Sequence, residues 1–350
     1  MIWLTWRQFR GAAVMMAGLL VILAVVLALT GPKLAADYST GIAGCVQDDS
    51  CGRFYDRFFG EYDTPFMALS LVVLLLPALA GLFWGAPLIT RELEAGTHLL
   101  VWNQGITRGR WLAVKLGLTG LVAAAAAGLC GLVVTWWSGP LDKSAPGDLA
   151  LMAPLVFGAR GIAPLGYAAF AFVLGVTVGM MVRRTVPAMA ITLAVFVAIQ
   201  LAMPMLVRPH LMAPVTSTFE LSEVNVDGLG INRERGGYVE VRLNNSVPGD
   251  AGAWVLSSGI LDPSGRPVAG PEPGVGLVQI STTSGPCSPA GQQGMGACPA
   301  EINRLGYRQQ ATYQPLNRFW PFQWIETGIY ALLTLGLTWL CFWWIRKRLS

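Results

Sequence analysis

Residues 161–207 read GIAPLGYAAFAFVLGVTVGMMVRRTVPAMAITLAVFVAIQLAMPMLV. The only charges are Arg183 and Arg184, with 22 uncharged residues before them and 23 after. A helix needs about 20 apolar residues to cross a bilayer. In hydrocarbon every backbone N–H and C=O must find a partner within the segment, so such runs are helices. The stretch therefore predicts two transmembrane helices joined by a tight turn, with Pro187 in the first turn of the second and the arginines anchored at headgroups. Outward from it, four more charge-free runs occur, 11–32, 64–90, 116–141 and 327–345. A soluble core could bury two short runs of this kind but not six long ones.

The whole chain agrees. Its 350 residues are 54% hydrophobic and 13% charged, and mean hydropathy is +0.53. Soluble domains carry roughly 25% charged residues. Six spans put both termini on one side, and lysine and arginine choose the side. With the termini inside, the inner segments 1–10, 91–115, 183–184 and 346–350 hold 11 Lys/Arg against two acids, Glu92 and Glu94. The outer segments 33–63, 142–160 and 208–326 hold 13 Lys/Arg and 18 acids over a fourfold greater length. We expect both termini to be cytoplasmic.

The fold class expected is an all-α polytopic membrane protein of six transmembrane helices, with a small β-containing extracytoplasmic domain between helices five and six. Residues 1–206 would hold an N-terminal interfacial helix and helices one to five, at about 11–32, 64–90, 111–139, 161–182 and 185–206. Residues 207–322 would form the external domain, and 323–350 helix six and a cytoplasmic tail. The external segment is rich in Gly, Pro, Ser and Asn. GGYVEVRLNN and GAWVLSSGILDPSGRPVAG read as strands, and Asp262-Pro-Ser-Gly265 as a turn. At the N-terminus, MIWLTWRQFRG places Ile2, Trp3, Trp6 and Phe9 on one helical face with Arg7 and Arg10 elsewhere. This predicts a short interfacial helix, with a plain basic flank as the alternative. The apolar run after it is too long for a cleavable signal.

Cys45 and Cys51 fall in the first outer loop, and Cys287 and Cys298 in the last. Two close pairs facing an oxidising compartment point to two local disulfides, with unpaired thiols or a metal site as the alternatives. The spacings are not zinc signatures, and no metal is expected. The loop 33–63 would be a small cap pinned by its disulfide. Ser70, Thr119, Thr177, Thr192 and Gln200 are read as helix–helix contacts, and Pro77, Pro87 and Pro204 as candidate kinks. Glu326 stands at the membrane edge, where a headgroup contact is expected.

No enzyme chemistry assembles. His98 and His210 lie on opposite sides of the membrane in this topology, no Gly-x-Ser-x-Gly elbow occurs, and Gly-Lys is absent, so the chain has no Walker A loop. The charge-free runs leave nothing for an intramembrane proton relay. Energy for transport must come from another chain.

The largest inner segment is TRELEAGTHLLVWNQGITRGRWLAVK, residues 90–115. Span two would run to Glu94 and stop at Gly96. Leu99, Leu100 and Trp102 make a short apolar element, and Thr107 caps span three. Glu94 and His98, four apart, could pair across a helical turn. Here the chain resembles the type-2 ABC exporter permeases. These have six spans with both termini inside, and carry between spans two and three an acidic helix end, Gly-Thr, a leucine-rich turn, a Pro-x-Ser/Thr-Arg element and a lysine. The matching residues are Glu92, Glu94, Gly96-Thr97, Leu99-Leu100, Gly105-Ile106-Thr107-Arg108 and Lys115; Gly105 stands where the family commonly has proline. WLTWRQFR, with Trp3, Trp6, Arg7 and Arg10, is similar to the family's connecting helix. The external domain lies outside the resemblance.

The resemblance implies the membrane subunit of an exporter. It would pair with a second permease subunit, in a homo- or heterodimer, and recruit two ATP-binding cassette subunits. ATP and Mg would bind on those partners, with no cofactor on this chain. The docking surface would comprise Glu92, Glu94, Gly96, Thr97, Leu99, Leu100, Trp102, Thr107, Arg108 and Arg110. The cargo expected is amphiphilic, lipid-like or peptide-like, and the location a bacterial plasma membrane, with lipid and no nucleic acid as further contacts. The rival reading is a membrane-anchored sensor or accessory protein whose external domain binds a ligand or partner.

Overall fold

A computed structural model describes residues 2–48, 51–96, 107–222, 224–232, 238–268, 270, 274–282, 284–288 and 297–347. Within it six helical segments are long and apolar enough to cross a membrane: Ala13–Cys45, Cys51–Glu94, Arg108–Asp142, Gly147–Val182, Thr185–His210 and Leu316–Lys347. The helices are α1 (Ile2–Asp48), α2 (Cys51–Leu79), α3 (Ala86–Glu94), α4 (Arg108–Asp142), a short α5 (Pro154–Gly158), α6 (Ala163–Val182), α7 (Thr185–Ala202), α8 (Ala297–Arg304) within the β-containing domain that follows, and α9 (Phe319–Lys347). A π-helical turn, Ala80–Gly85, joins α2 to α3, and a second, Met203–Val207, follows α7. The first begins three residues after Pro77, which cannot donate its helical hydrogen bond; the second contains Pro204.

Two expectations about α1 and α2 are corrected. No separate interfacial helix precedes span one, because α1 runs unbroken from Ile2 to Asp48. Gly11 is the only helix-weakening residue before the apolar run, and one glycine costs only about 1 kcal/mol. Nor is 33–63 a loop. The helices α1 and α2 continue through it and form an extended hairpin. Its aromatic residues, read from sequence as a cap surface, zip the two helices together. The Tyr38 ring lies 5.5 Å from Phe58 and 6.1 Å from Phe54, and Tyr62 donates to Asp37 at 3.0 Å. Cys45 and Cys51 are joined at the tip, with their Cα atoms 4.8 Å apart.

Span four is the hub of the bundle. In its most apolar window 72% of residues are buried, against 6% for span one. Small residues let α6 approach the α2–α3 segment backbone to backbone. A Cβ added at Gly81 would lie 2.7 Å from the Ala171 carbonyl oxygen, and one at Gly179 would lie 2.8 Å from that of Ala86. Without a hydrophobic drive between helices in lipid, such close contact is what holds them together. The turn between α6 and α7 closes with Arg183 in the left-handed region, φ 56°.

Among the described residues, the domain between spans five and six, expected from sequence to be external, has two antiparallel sheets. One runs β1 (Val215–Phe219), β7 (Arg308–Gln314), β4 (Trp254–Leu261), β5 (Pro267–Val268). The other runs β2 (Val226–Asn232), β3 (Tyr238–Leu243), β6 (Val275–Gln279). Val239, Val241, Val278 and Ile260 pack between them, with Ile302 of α8 and the joined Cys287 and Cys298 closing one side. The turn at 262–265 is as read from sequence. The Asp262 carboxylate accepts from the Ser264 hydroxyl and from the Ser264 and Arg266 N–H groups. Those bonds hold its pKa below the usual carboxylate range, the Ser264 hydroxyl first among them.

Close approach at Gly179 makes a prediction. Gly179→Val should overpack the α3–α6 contact and destabilise the chain by about 1–3 kcal/mol or more. The readout is the thermal unfolding midpoint in detergent. Gly336→Val, at a site with nothing within 4 Å of the added Cβ, should leave the midpoint unchanged; an equal drop at both sites would contradict the contact.

Candidate functional site

One end of the bundle gathers the C-terminus of α3, the N-terminus of α4 and the α6–α7 turn. Span two ends as the sequence indicates. Ala95 N–H returns to the Arg91 carbonyl, and Gly96 takes φ +67°, a conformation glycine adopts without strain. Span three begins at Thr107, whose hydroxyl accepts the Arg110 N–H at 3.4 Å. This N-cap satisfies a donor the helix cannot. Between these two helix ends lie Thr97, His98, Leu99, Leu100, Trp102 and Gly105, which fall outside the described residues, so the Glu94–His98 pairing does too. Arg110 is exposed and Arg108 partly so. At the start of α1, Arg10 is exposed; Trp3, Trp6 and Arg7 belong to the helix, and their side chains are outside the described set.

The two acids do different work. Glu92 pairs with Lys115, about two turns into α4. Lys115 is buried and sits 4.9 Å from the centre of the Trp111 ring. A buried ammonium needs such company. Glu94 reaches the other way. Its carboxylate accepts the Thr185 N–H at 2.8 Å and the Thr185 hydroxyl at 2.9 Å. Thr185 is the first residue of α7, and Arg184 before it supplies no side-chain cap. Glu94 thus caps a helix to which it does not belong, placing a negative charge at the positive end of the helix dipole. The Thr90 hydroxyl, one turn earlier on α3, lies 2.9 Å from that of Thr185.

At the opposite end, beneath the external domain, buried ionic groups cluster. Glu326 is not at a headgroup, as expected from sequence; it is fully buried. Arg208 donates to it through Nε at 2.9 Å and Nη2 at 3.0 Å, and the Tyr167 hydroxyl donates as well. Arg208 also meets the Pro154 carbonyl at 3.3 Å and lies 4.2 Å from the Phe157 ring centre. One turn away on α9, Gln323 accepts the N–H groups of Ile162 and Ala163 at 3.0 and 2.8 Å, capping α6 from outside. A second buried pair, Asp142 and Arg160, stands 3.7 Å apart. Ser138 donates to Asp142 at 2.9 Å and Arg160 donates to Ser70 at 3.1 Å. Among the described residues, no three His, Cys, Asp or Glu side chains are grouped to hold a metal ion.

Sequence reading named neither ionic pair nor the role of Thr185. A signal was there. Asp142, Arg160, Arg208 and Glu326 are each the residue that bounds a charge-free run. A charge that close to a span must reach water or find a partner, and these found partners.

Glu326→Ala should leave Arg208 charged and unpaired, at a cost of about 3–5 kcal/mol. The combined Arg208→Met and Glu326→Leu exchange should cost less than either single change. Unfolding midpoints in detergent of the parent, Glu326→Ala, the two single exchanges and the double measure both; additive losses in the exchange would show that the pair does not interact.

A family model described as ABC-2 membrane transporter related matches residues 17–208. No curated protein and no solved structure matches the chain.

Proposed function

From the premise that the chain belongs to the ABC-2 membrane transporter related family, we propose that it is the permease subunit of an ABC exporter driven by two separate ATP-binding subunits. Membership makes it a multi-pass membrane protein and a transport subunit rather than an enzyme. Beyond that, the proposal puts both termini and the 94–107 end in the cytoplasm of a bacterium. It puts ATP and Mg on the partner chains, and a second permease subunit beside this one. The cargo is amphiphilic, lipid-like or peptide-like.

One observation supports the docking role above the rest. The segment 97–106 is slung between two helix ends, and neither end is loose. Glu92 ties the α3 end to Lys115 of α4, and Glu94 ties it to the start of α7. A segment mounted in this way passes a push from a partner into three spans at once. Leu99, Leu100 and Trp102 supply apolar contact area, and Arg108 and Arg110 supply charge at its edge. Interface energy generally concentrates in aromatics and arginines.

The test is assembly. Full-length chain expressed with the ATP-binding subunit encoded beside it should co-purify with it in a stable complex. Trp102→Ala with Arg108→Glu should reduce recovery of that subunit roughly thirtyfold or more, the loss of a hot-spot contribution of about 2 kcal/mol. Failure of any ATP-binding subunit to associate, with normal behaviour after 97–108 is replaced by a polar linker, would overturn the proposal in favour of a membrane-anchored sensor.

A further inference from the structure

We infer that Glu94 is a positioning residue that carries motion of the docking segment into span five, through its bonds to Thr185. The inference rests on the proposed permease role and assigns a route within it.

Three spans meet the inner end of span two, and their contacts differ in kind. Span four touches it through backbone, at Gly179 against Ala86, a packing contact that shears when either helix slides. Span three is joined to it by Glu92 and the buried Lys115. Span five is the least packed of the three against its surroundings. Only 17% of its most apolar window is buried, against 44% for spans two and three and 72% for span four. Ala188, Thr192 and Phe196 are its buried residues along α7. A helix so lightly held goes where its ends are taken. Its far end is fixed by Arg208 in the Glu326 cluster. Its near end is fixed by Glu94, which accepts both the N–H and the hydroxyl of Thr185, with Thr90 beside them.

The bonds run from the last turn of α3, two residues before Gly96 ends the helix and the docking segment begins. On the α3 side, displacement of that segment passes through Gly96 into the turn that carries Glu94. A carboxylate with two acceptor oxygens on one residue resists both rotation and withdrawal of the α7 start. The α6–α7 turn offers the slack such a movement needs, since Arg183 already occupies the left-handed region and Arg184 has no side-chain cap of its own.

Site-directed spin labelling of the whole complex tests this. Cys130 and Cys341 are buried and the other four cysteines are paired, so an added surface cysteine takes a nitroxide selectively. Val186→Cys reports on the start of span five, where the native side chain is 77% exposed. Arg91→Cys, at another exposed position, reports on the end of span two. In the permease–ATPase complex in lipid nanodiscs, Mg-ATP with vanadate should change both spectra. With Glu94→Ala added, the Arg91 label should still respond and the Val186 response should fall to less than half. Thr185→Val should also weaken the Val186 response, and Thr185→Ser should restore it.

A full Val186 response in the Glu94→Ala complex overturns the inference. So does loss of both responses, which would put Glu94 in docking itself, or an unchanging Val186 label in the parent complex. If Glu94→Ala fails to assemble, the Thr185 pair decides, and a full Val186 response with Thr185→Val overturns it. If no ATP-binding subunit joins even the parent chain, the permease reading fails and this inference falls with it.

Discussion

The fold depends on one carboxylate. Glu326 is fully buried at the start of the last span, and Arg208 and Tyr167 both converge on it. Removing a carboxylate and a guanidinium from water is costly, and their attraction offsets the cost only when geometry is good and remaining hydrogen bonds are made. Here the two nitrogens of Arg208 divide between the two oxygens of Glu326, a third donation comes from Tyr167, and a fourth contact takes Arg208 to the Pro154 carbonyl. The arrangement is expensive to dissolve, because breaking it strands a charge. It therefore specifies position. Arg208 is where the chain leaves span five for the external domain, and Glu326 is just after it returns. Both legs of a domain of over a hundred residues are thus pinned to each other, and through Glu326 to Tyr167 on span four.

The second buried pair extends the same logic sideways. Asp142 ends span three, and Arg160 stands in the short link between α5 and α6. With Ser138 and Ser70 as further partners, they join spans two, three and four at the level where the external domain sits. The Gly161 N–H donates to Thr135 of span three at 2.8 Å, so backbone freed at the start of span four is satisfied across the same interface. In lipid an unsatisfied backbone group costs several kcal/mol, which makes these cross-helix caps part of the fold rather than decoration. Asp148 and Asn245, 2.7 Å apart, then rest the external domain on the span three–four connection.

What could be read from the sequence follows from which physics is local. Span positions depend on the bilayer alone, and the runs around Arg183 and Arg184 were legible for that reason. Gly96 and Thr107 were legible because helix stops and caps act within a turn. The Asp262–Gly265 turn was legible on the same ground. Residues 33–63 were misread as a loop because charge was taken to end a helix. Helices continue past the bilayer when an aromatic seam such as Tyr38–Phe58 supports them. Glu326 was misread because its partner lies 118 residues away. Thr185 was missed because a cap contributed by another helix leaves no trace in its own neighbourhood.

The two ends of the bundle differ in how firmly they are held, and the difference suits a machine driven from one side. At the external end the linking charges are buried, and the low-dielectric surroundings make each bond strong and its loss severe. At the other end Glu94 is exposed to solvent, and water competes for every bond it makes to Thr185. A link of that kind holds the helix in register, and its loss is less costly than that of a buried ion pair. Lys115 stands between the two cases, buried itself but bonded to a partly exposed Glu92. Span five, lightly packed along its length, thus has one end held by buried charges and the other by an exposed carboxylate. A rod held at one end by buried charges and at the other by Glu94 converts a small displacement at Glu94 into a tilt.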